Sequence, residues 1–322
     1  MRGPVLVLRA LGLGDALTGV PALRGLRRLY PDRQLVLAGK EPFGSWLVRL
    51  GVADDSVATA GLSGRPPGRG LGRHLAVNLH GRGPQSHLLL QSGDPDELLA
   101  FDCAAAGHRS KTRWRADEHE VDRWCRLVAE AGGACSRDDL RLPLGGRRDA
   151  AVVVHPGAAS VSRQWPLDRW RQVVQELRGD GRTVVLTGTE TELCAELARG
   201  TGTEDLSGRL SVDELASRIG SAELLVSGDT GVAHLATAAG TRSVTLFGPT
   251  PPAWWGPAID PERHTVLYRG SGVGDPHADQ VDEGLLRITV PEVLRAARKQ
   301  LASGTTQQSS PALRASRPAA SS

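Results

Sequence analysis

The chain has 322 residues, 40% of them hydrophobic and 23% charged, and a formal net charge of +3. That length leaves room for two domains of ordinary size, and the balance is that of a globular protein. So small a charge, without a Lys/Arg run interleaved with aromatics, excludes nucleic acid as the expected partner, and no apolar stretch reaches the ~18 residues of a membrane span.

Residues 4–31, PVLVLRALGLGDALTGVPALRGLRRLYP, read as an apolar strand, a Gly-rich turn and a helix ending before Pro31. Arg9 and Asp15 interrupt the run, which argues against a signal peptide. Apolar runs at 34–38 and 75–79 predict further buried strands. The Gly/Pro/Arg-rich stretch 61–72 predicts an exposed loop. Asp117-Glu118-His119-Glu120 reads as the solvated start of a helix over 121–131 rather than as a metal cluster. The segment RLPLGGRRDAA (141–151) carries a Pro and a Gly pair before a fresh strand, so a domain boundary is set near Gly146. AAVVVHPGAASVSRQWPLDRWRQVVQELRGDG (150–181) then repeats the opening pattern of strand, loop and helix. Strands follow at 183–187, 224–227 and 243–247, with helices at 167–177 and 212–219. This alternation implies an α/β chain with parallel sheets. The units are 1–146 and 147–302, and the low-complexity end, 303–322, is expected to be a disordered tail.

The four cysteines, Cys103, Cys125, Cys135 and Cys194, lack CxxC spacing and read as reduced, scattered thiols of a cytoplasmic protein. The nine histidines form no HExxH pattern. Asp54-Asp55 and Asp138-Asp139 read as solvated turns, so no metal site and no DxD-type pair is expected.

The stretch SGDTGVAHLATAAG (227–240) is the most informative. Asp-Thr-Gly also marks the catalytic loop of aspartic proteases. That chemistry needs two such loops sharing a proton, and here one lies within an α/β pattern. A dinucleotide-binding dehydrogenase would use the turn at Gly12-x-Gly14, but its third glycine position holds Leu17. Asp15 would face the pyrophosphate there, and two unit charges ~4 Å apart repel by ~4 kcal/mol at an effective dielectric of about 20. Asp15 suits a site that takes a proton from a hydroxyl. The run ELLVSG instead delivers Asp229 to a sheet's carboxyl edge, where Thr230 and Gly231 open a helix whose free N–H groups suit an anion. Gly231 admits close approach, and His234 lies in the first turn. A bland alternative is an N-cap aspartate with a packing histidine. Arg163, in the HPGAASVSRQWP loop, offers bidentate donors for a second wall of a diphosphate pocket, while Trp165 reads as packing.

With these residues in order, the chain resembles glycosyltransferase family 9, the heptosyltransferases. The matching blocks are RALGLGDALTGVPALRGLRRLYP, VVVHPGAASVSRQWPLDRW, VVLTGTETE and LLVSGDTGVAHLATAAGTRSVTLFGPTPPAWWGP. The resemblance implies a GT-B fold, two Rossmann-like domains with parallel sheets facing an interdomain cleft, acceptor in the first and donor in the second. It implies Asp15 as general base and Arg163 where the family usually has a phosphate-contacting lysine. It also implies Glu190 at the donor ribose, Leu210 near the adenine-side wall, and Asp229, Thr230, Gly231 and His234 at the diphosphate. Gly12, Gly14, His80 and Arg82 fall on the acceptor side. The expected activity is inverting, metal-independent transfer of a sugar, heptose foremost, from a nucleotide diphosphate donor such as ADP-heptose. No cofactor is expected beyond that co-substrate. The acceptor is a glycan, glycolipid or small molecule, and contact with a membrane surface stays open. Rival readings are a nucleotide-sugar epimerase of similar shape and a non-catalytic nucleotide-sugar-binding protein.

Overall fold

Short apolar runs alternating with amphipathic helices build two parallel sheets in the computed structural model, which describes residues 3–308. The first half runs β1 (Val5–Arg9), α1 (Leu13–Thr18), α2 (Val20–Leu29), β2 (Leu35–Gly39), α3 (Phe43–Arg49), β3 (Asp55–Ala58), β4 (Leu75–Asn78), α4 (Gln85–Gln91), β5 (Glu97–Leu99) and α5 (Glu120–Glu130). The second runs β6 (Ala151–His155), α6 (Leu167–Gly179), β7 (Thr183–Leu186), α7 (Thr191–Thr201), β8 (Glu204–Asp205), α8 (Val212–Ser221), β9 (Leu224–Gly228), α9 (Gly231–Ala239) and β10 (Ser243–Phe247). It closes with α10 (Pro252–Trp255), β11 (His264–Tyr268), α11 (Glu283–Leu286) and α12 (Val290–Gln308).

The sheet orders are β3-β2-β1-β4-β5 and β11-β10-β9-β6-β7-β8. Counted from β1 and from β6, both wind outward in the order of a dinucleotide-binding sheet, with a switch point beside the first strand of each half. Ligands of such sheets sit beyond the carboxyl ends at that point. All five residues of β1, β2, β6, β9 and β10 are buried, as strands covered by helices on both faces must be.

Three local features set the site. The sequence reading runs one helix from the first turn to Pro31, but Gly19 divides it into α1 and α2. Gly19 lies against the Arg9 side chain, where a β-carbon would make ordinary contact at 3.6 Å. Helix α8 starts on a Ser211–Glu214 capping box, which satisfies two free N–H groups. Helix α9 is stopped by Gly240 in the left-handed region, φ 65°.

One apolar cluster joins the halves, running from Val5, Leu17 and Leu23 to Val232, Leu235 and Ile259. Segment 141–146 lies against the second half, where Leu142 N–H donates to the Ala238 carbonyl at 2.9 Å.

Several expectations are corrected. Helix α12 continues to Gln308, six residues into the stretch expected to be disordered; its apolar positions up to Leu301 pack on the second core. The remainder, 309–322, lies outside the described residues. Cys125 and Cys135 form a disulfide, Cα–Cα 5.2 Å, because the turn after α5 reverses at Gly132 and brings the two together; Cys103 and Cys194 are free. Glu120 and His119 are buried rather than solvated. Among the described residues no helix is long and apolar enough to cross a membrane.

Candidate active site

Helices α1 and α9 follow the central strands β1 and β9, and their first turns meet. A β-carbon on Gly14 would come within 2.8 Å of the His234 ring, and one on Gly231 within 2.9 Å of the Leu13 side chain and 3.1 Å of the Gly14 nitrogen. Both positions need glycine because the His234 ring and the Leu13 side chain already occupy the space that a β-carbon would take. The contact brings the Asp15 turn beside the first turn of α9, which begins at Gly231 after its N-cap Thr230.

Asp15 stands on a buried charge network. Arg9, 2% exposed, ends an otherwise apolar strand, and every polar atom of its guanidinium is engaged. Its Nε donates to the Asp15 carbonyl at 2.7 Å and its Nη1 to the Leu79 carbonyl at 2.5 Å. Nη2 reaches Thr18 Oγ1 and Glu120 Oε1, both at 2.9 Å, and Asp15 Oδ1 at 3.4 Å. Glu120 also accepts from Trp124 Nε1 at 2.8 Å and from Arg123. Burial raises the Asp15 pKa above the ordinary aspartate value; Arg9 works against this, and Glu120 adds to it. Glu120 moves the other way: its two arginine neighbours outweigh burial and hold it below the glutamate range. A half-buried carboxyl with raised pKa, its side chain 27% exposed, is suited to accepting a proton from a hydroxyl.

On the facing side, Thr230 has no side-chain cap bond, and its Oγ1 is buried without a partner. Arg163 Nη1 donates to the Asp229 carbonyl at 3.3 Å, and its Nε is buried and unpaired. Orphaned polar atoms of this kind are uncommon in folded proteins. Here they sit around a helix N-terminus, where an anion would satisfy them. Asp229 is 8% exposed, and burial, partly offset by Arg163, pushes its pKa to about 6. A carboxyl so raised can lie beside an anion in its neutral form.

Glu190 precedes α7, and a β-carbon on Gly157 would fall 2.1 Å from its Oε2, so the HPGAAS loop and Glu190 share one wall. Trp165 packs as expected, 2% exposed and edge-on to Trp170 at 5.1 Å. His80 Nδ1 accepts from Ala10 N–H at 3.2 Å, which puts its ring beside the end of β1 and leaves Nε2 to carry the proton. Arg82 is exposed, Leu210 is half-buried just ahead of α8, and Gly12 is exposed at the turn before α1. No contact draws Arg82 or Leu210 to the others among the described residues.

His234 is 7% exposed and edge-on to Trp255 at 6.0 Å, and burial pulls its pKa to about 4. Burial thus favours the neutral imidazole, which can still donate one hydrogen bond. Sequence reasoning missed Arg9, Glu120 and His119. His119 Nδ1 accepts from Val121 N–H at the start of α5, and Nε2 reaches the Gly256 carbonyl of the other half at 3.0 Å.

His80, His155, His234 and His264 are each pulled down to about 4 by burial. A histidine whose folded pKa lies below its unfolded value near 6.5 contributes stability that is complete above that value and is lost as pH falls toward 4. Asp229 and Asp15, with raised values, act in the opposite sense. His87 and His119 are lowered by burial too, and six histidines against two aspartates predict a urea midpoint that falls between pH 7 and 5, readable by tryptophan fluorescence. A midpoint that is level or rises on acidification contradicts it.

Two wound sheets, each presenting its carboxyl edge to a shared site, make the fold that of a GT-B glycosyltransferase. The chain belongs to glycosyltransferase family 9 (heptosyltransferase), whose model matches residues 103–271. It is 30% identical over 165 residues to lipopolysaccharide heptosyltransferase 3 of Escherichia coli, 48% of each chain. It is 33% identical over 108 residues to lipopolysaccharide heptosyltransferase 1 of Pseudomonas aeruginosa, 33% of this chain and 30% of that one. The chain thus spans about half the length, or less, of these curated relatives. A family 9 glycosyl transferase from Veillonella parvula superposes with a TM-score of 0.78 at 18% identity, covering 94% of this chain and 98% of that one. E. coli ADP-heptose lps heptosyltransferase II gives 0.76 at 17%, covering 94% and 99%.

Proposed function

We propose that the protein transfers a sugar, heptose in the first instance, from a nucleotide diphosphate donor to an acceptor hydroxyl with inversion. The observation that carries this reading is the meeting of α1 and α9, which sets a proton acceptor beside an anion site. The acceptor oxygen attacks the anomeric carbon, the bond from that carbon to the diphosphate oxygen breaks, and Asp15 takes the hydroxyl proton. Negative charge grows on the leaving diphosphate, where the N–H groups of α9, Thr230 Oγ1 and Arg163 are available to stabilise it. Glu190 and Leu210 hold the nucleoside, and Gly12, His80 and Arg82 face the acceptor. ADP-heptose is the proposed donor because the curated relatives are heptosyltransferases and one E. coli relative is described with ADP. The acceptor is a cell-envelope glycan, glycolipid or small molecule, and the place of action is the cytoplasm.

A thermal-shift screen of ADP-heptose against UDP-, GDP- and dTDP-sugars, followed by measurement of nucleoside diphosphate release, tests the reading. Stabilisation by ADP-heptose with release of ADP supports it. Stabilisation without release would make the protein a binding module.

The proposed mechanism places no demand on a divalent cation, because Arg163 and the α9 terminus supply the positive field. Transfer should therefore persist in EDTA. Loss in EDTA with recovery on adding magnesium would refute this part.

Arg163→Ala should weaken ADP binding by roughly 1.5–3 kcal/mol, the worth of one charged hydrogen bond. Arg163→Lys should recover part of it, since the charge returns without the planar fork. Calorimetry with ADP reads both. Normal ADP affinity with a raised acceptor KM would put Arg163 on the acceptor side.

A further inference from the structure

In a parallel sheet all strands start at one edge, so the residues just before each strand are brought together there. In the second sheet those residues are Arg263 before β11, Arg242 before β10, Glu223 before β9, Arg148 shortly before β6 and Arg182 before β7. In the first sheet they are Pro4, Gln34, Asp54, His74 and Asp96, and the arginines nearest those strand starts, Arg33 and Arg73, are held by the Gly3 and Pro4 carbonyls and by Asp96. The arginines of the second sheet are gathered in one place. They line a cavity of about 730 Å³, joined by Arg147 and Asp149. The cavity lies at the end of the sheet opposite Asp229 and Thr230, one strand length or about 17 Å of extended chain away.

Among the residues that line the cavity, five arginines stand with two carboxylates. Glu223 is engaged by Arg182 at 3.2 Å, and Asp149 by Arg218. Arg263 lies 3.9 Å from the Glu262 carboxylate. Arg148 and Arg263 both donate to the Gly240 carbonyl, at 2.9 and 3.2 Å, so those two nitrogens are no farther apart than the bonds laid end to end. Arg242 adds a third cation, itself bonded to Gln300 at 2.9 Å. Burial and the charges of Arg263 and Arg242 draw the Arg148 pKa below its ordinary value, which is the cost of crowding like charges. Carbonyl partners satisfy hydrogen bonds without cancelling charge, and an oxyanion would do both.

We propose that this cavity is a second anion site, taking a phosphate-bearing group on Arg147, Arg148 and Arg263. The shared chemistry is a phosphate or diphosphate oxyanion, whether free in solution or on a lipid headgroup. The site is separate from the proposed catalytic centre and does not depend on it.

The test uses the full chain saturated with ADP. Inorganic pyrophosphate is titrated by calorimetry, and flotation is measured with phosphatidylcholine vesicles with and without phosphatidylglycerol. Binding to pyrophosphate alone identifies a free phosphate ligand, and flotation only with phosphatidylglycerol identifies a headgroup. Either should weaken at least tenfold in Arg148→Ala/Arg263→Ala. Arg147 is exposed and has no partner among the described residues, so Arg147→Glu tests the same point without disturbing packing. It should weaken the anion while leaving ADP affinity unchanged. No binding to either probe, or unchanged binding in Arg147→Glu and in the double variant, overturns the proposal.

Discussion

Asp15→Asn should reduce sugar transfer by roughly 10²–10⁴-fold, the usual worth of a general base, while ADP affinity stays within a few-fold of the parent. Asparagine keeps the shape and the backbone carbonyl that accepts from Arg9, so α1 should hold its place. What is lost is a carboxylate whose pKa burial raises. Because the base must be ionised, the parent's rate should climb as pH rises through that pKa and then level off. ADP release from ADP-heptose gives the rate, and calorimetry gives the affinity. Full turnover in the variant would remove Asp15 from the chemistry. A collapse of ADP affinity would instead assign Asp15 to donor binding.

Glu120→Ala should destabilise the fold by about 3–5 kcal/mol, the typical cost of stranding buried charges. Glu120 is 4% exposed and is the carboxylate that joins Arg9 and Arg123; Trp124 Nε1 would also lose its acceptor. The isosteric Glu120→Gln should cost less, since it keeps one oxygen acceptor. Because the folded Glu120 pKa is depressed, its contribution is present above the ordinary glutamate value near 4.5 and is lost as pH falls through the lower folded value. In Glu120→Gln the Arg9 charge also acts on Asp15 without compensation. The Asp15 pKa should fall, moving the acid limb of the transfer profile to lower pH. Urea unfolding reads the first effect and a pH–rate profile the second. A change in stability below 0.5 kcal/mol for Glu120→Ala, at the level of ordinary surface substitutions, would contradict the network.

The central strands of both sheets are legible in the sequence because burial on both faces writes them as unbroken Val/Leu runs. The edge strands β3, β5 and β8 are not. Their residues are exposed or half-buried, and Asp55, Glu97 and Glu204 carry no apolar signal. The Asp-Thr-Gly turn is readable because a strand's end and a helix's start are both written around it. The charge network under Asp15 joins Arg9 to Glu120, 111 residues apart, and no local pattern contains that pairing. The two halves were each readable in part. A lone Arg in an apolar strand was the available sign, since a buried charge requires a partner. Asp117-Glu118-His119-Glu120 was a second sign, read as solvated because acidic helix starts usually are. The burial of His234 against Gly14 and Trp255 is likewise something only the tertiary fold supplies. The Cys125–Cys135 bond spans ten residues across a turn whose reversal depends on Gly132.

The central claim is that one site forms where α1 meets α9, with the donor diphosphate on α9 and its anomeric carbon toward Asp15. A crystal structure with the unreactive donor ADP-2-deoxy-2-fluoro heptose tests it most directly. Diphosphate oxygens should lie about 2.7–3.1 Å from donors at Thr230, Gly231 and Arg163, with the sugar's anomeric carbon facing the Asp15 carboxylate. A diphosphate held away from the start of α9, or a sugar turned from Asp15, would contradict the account.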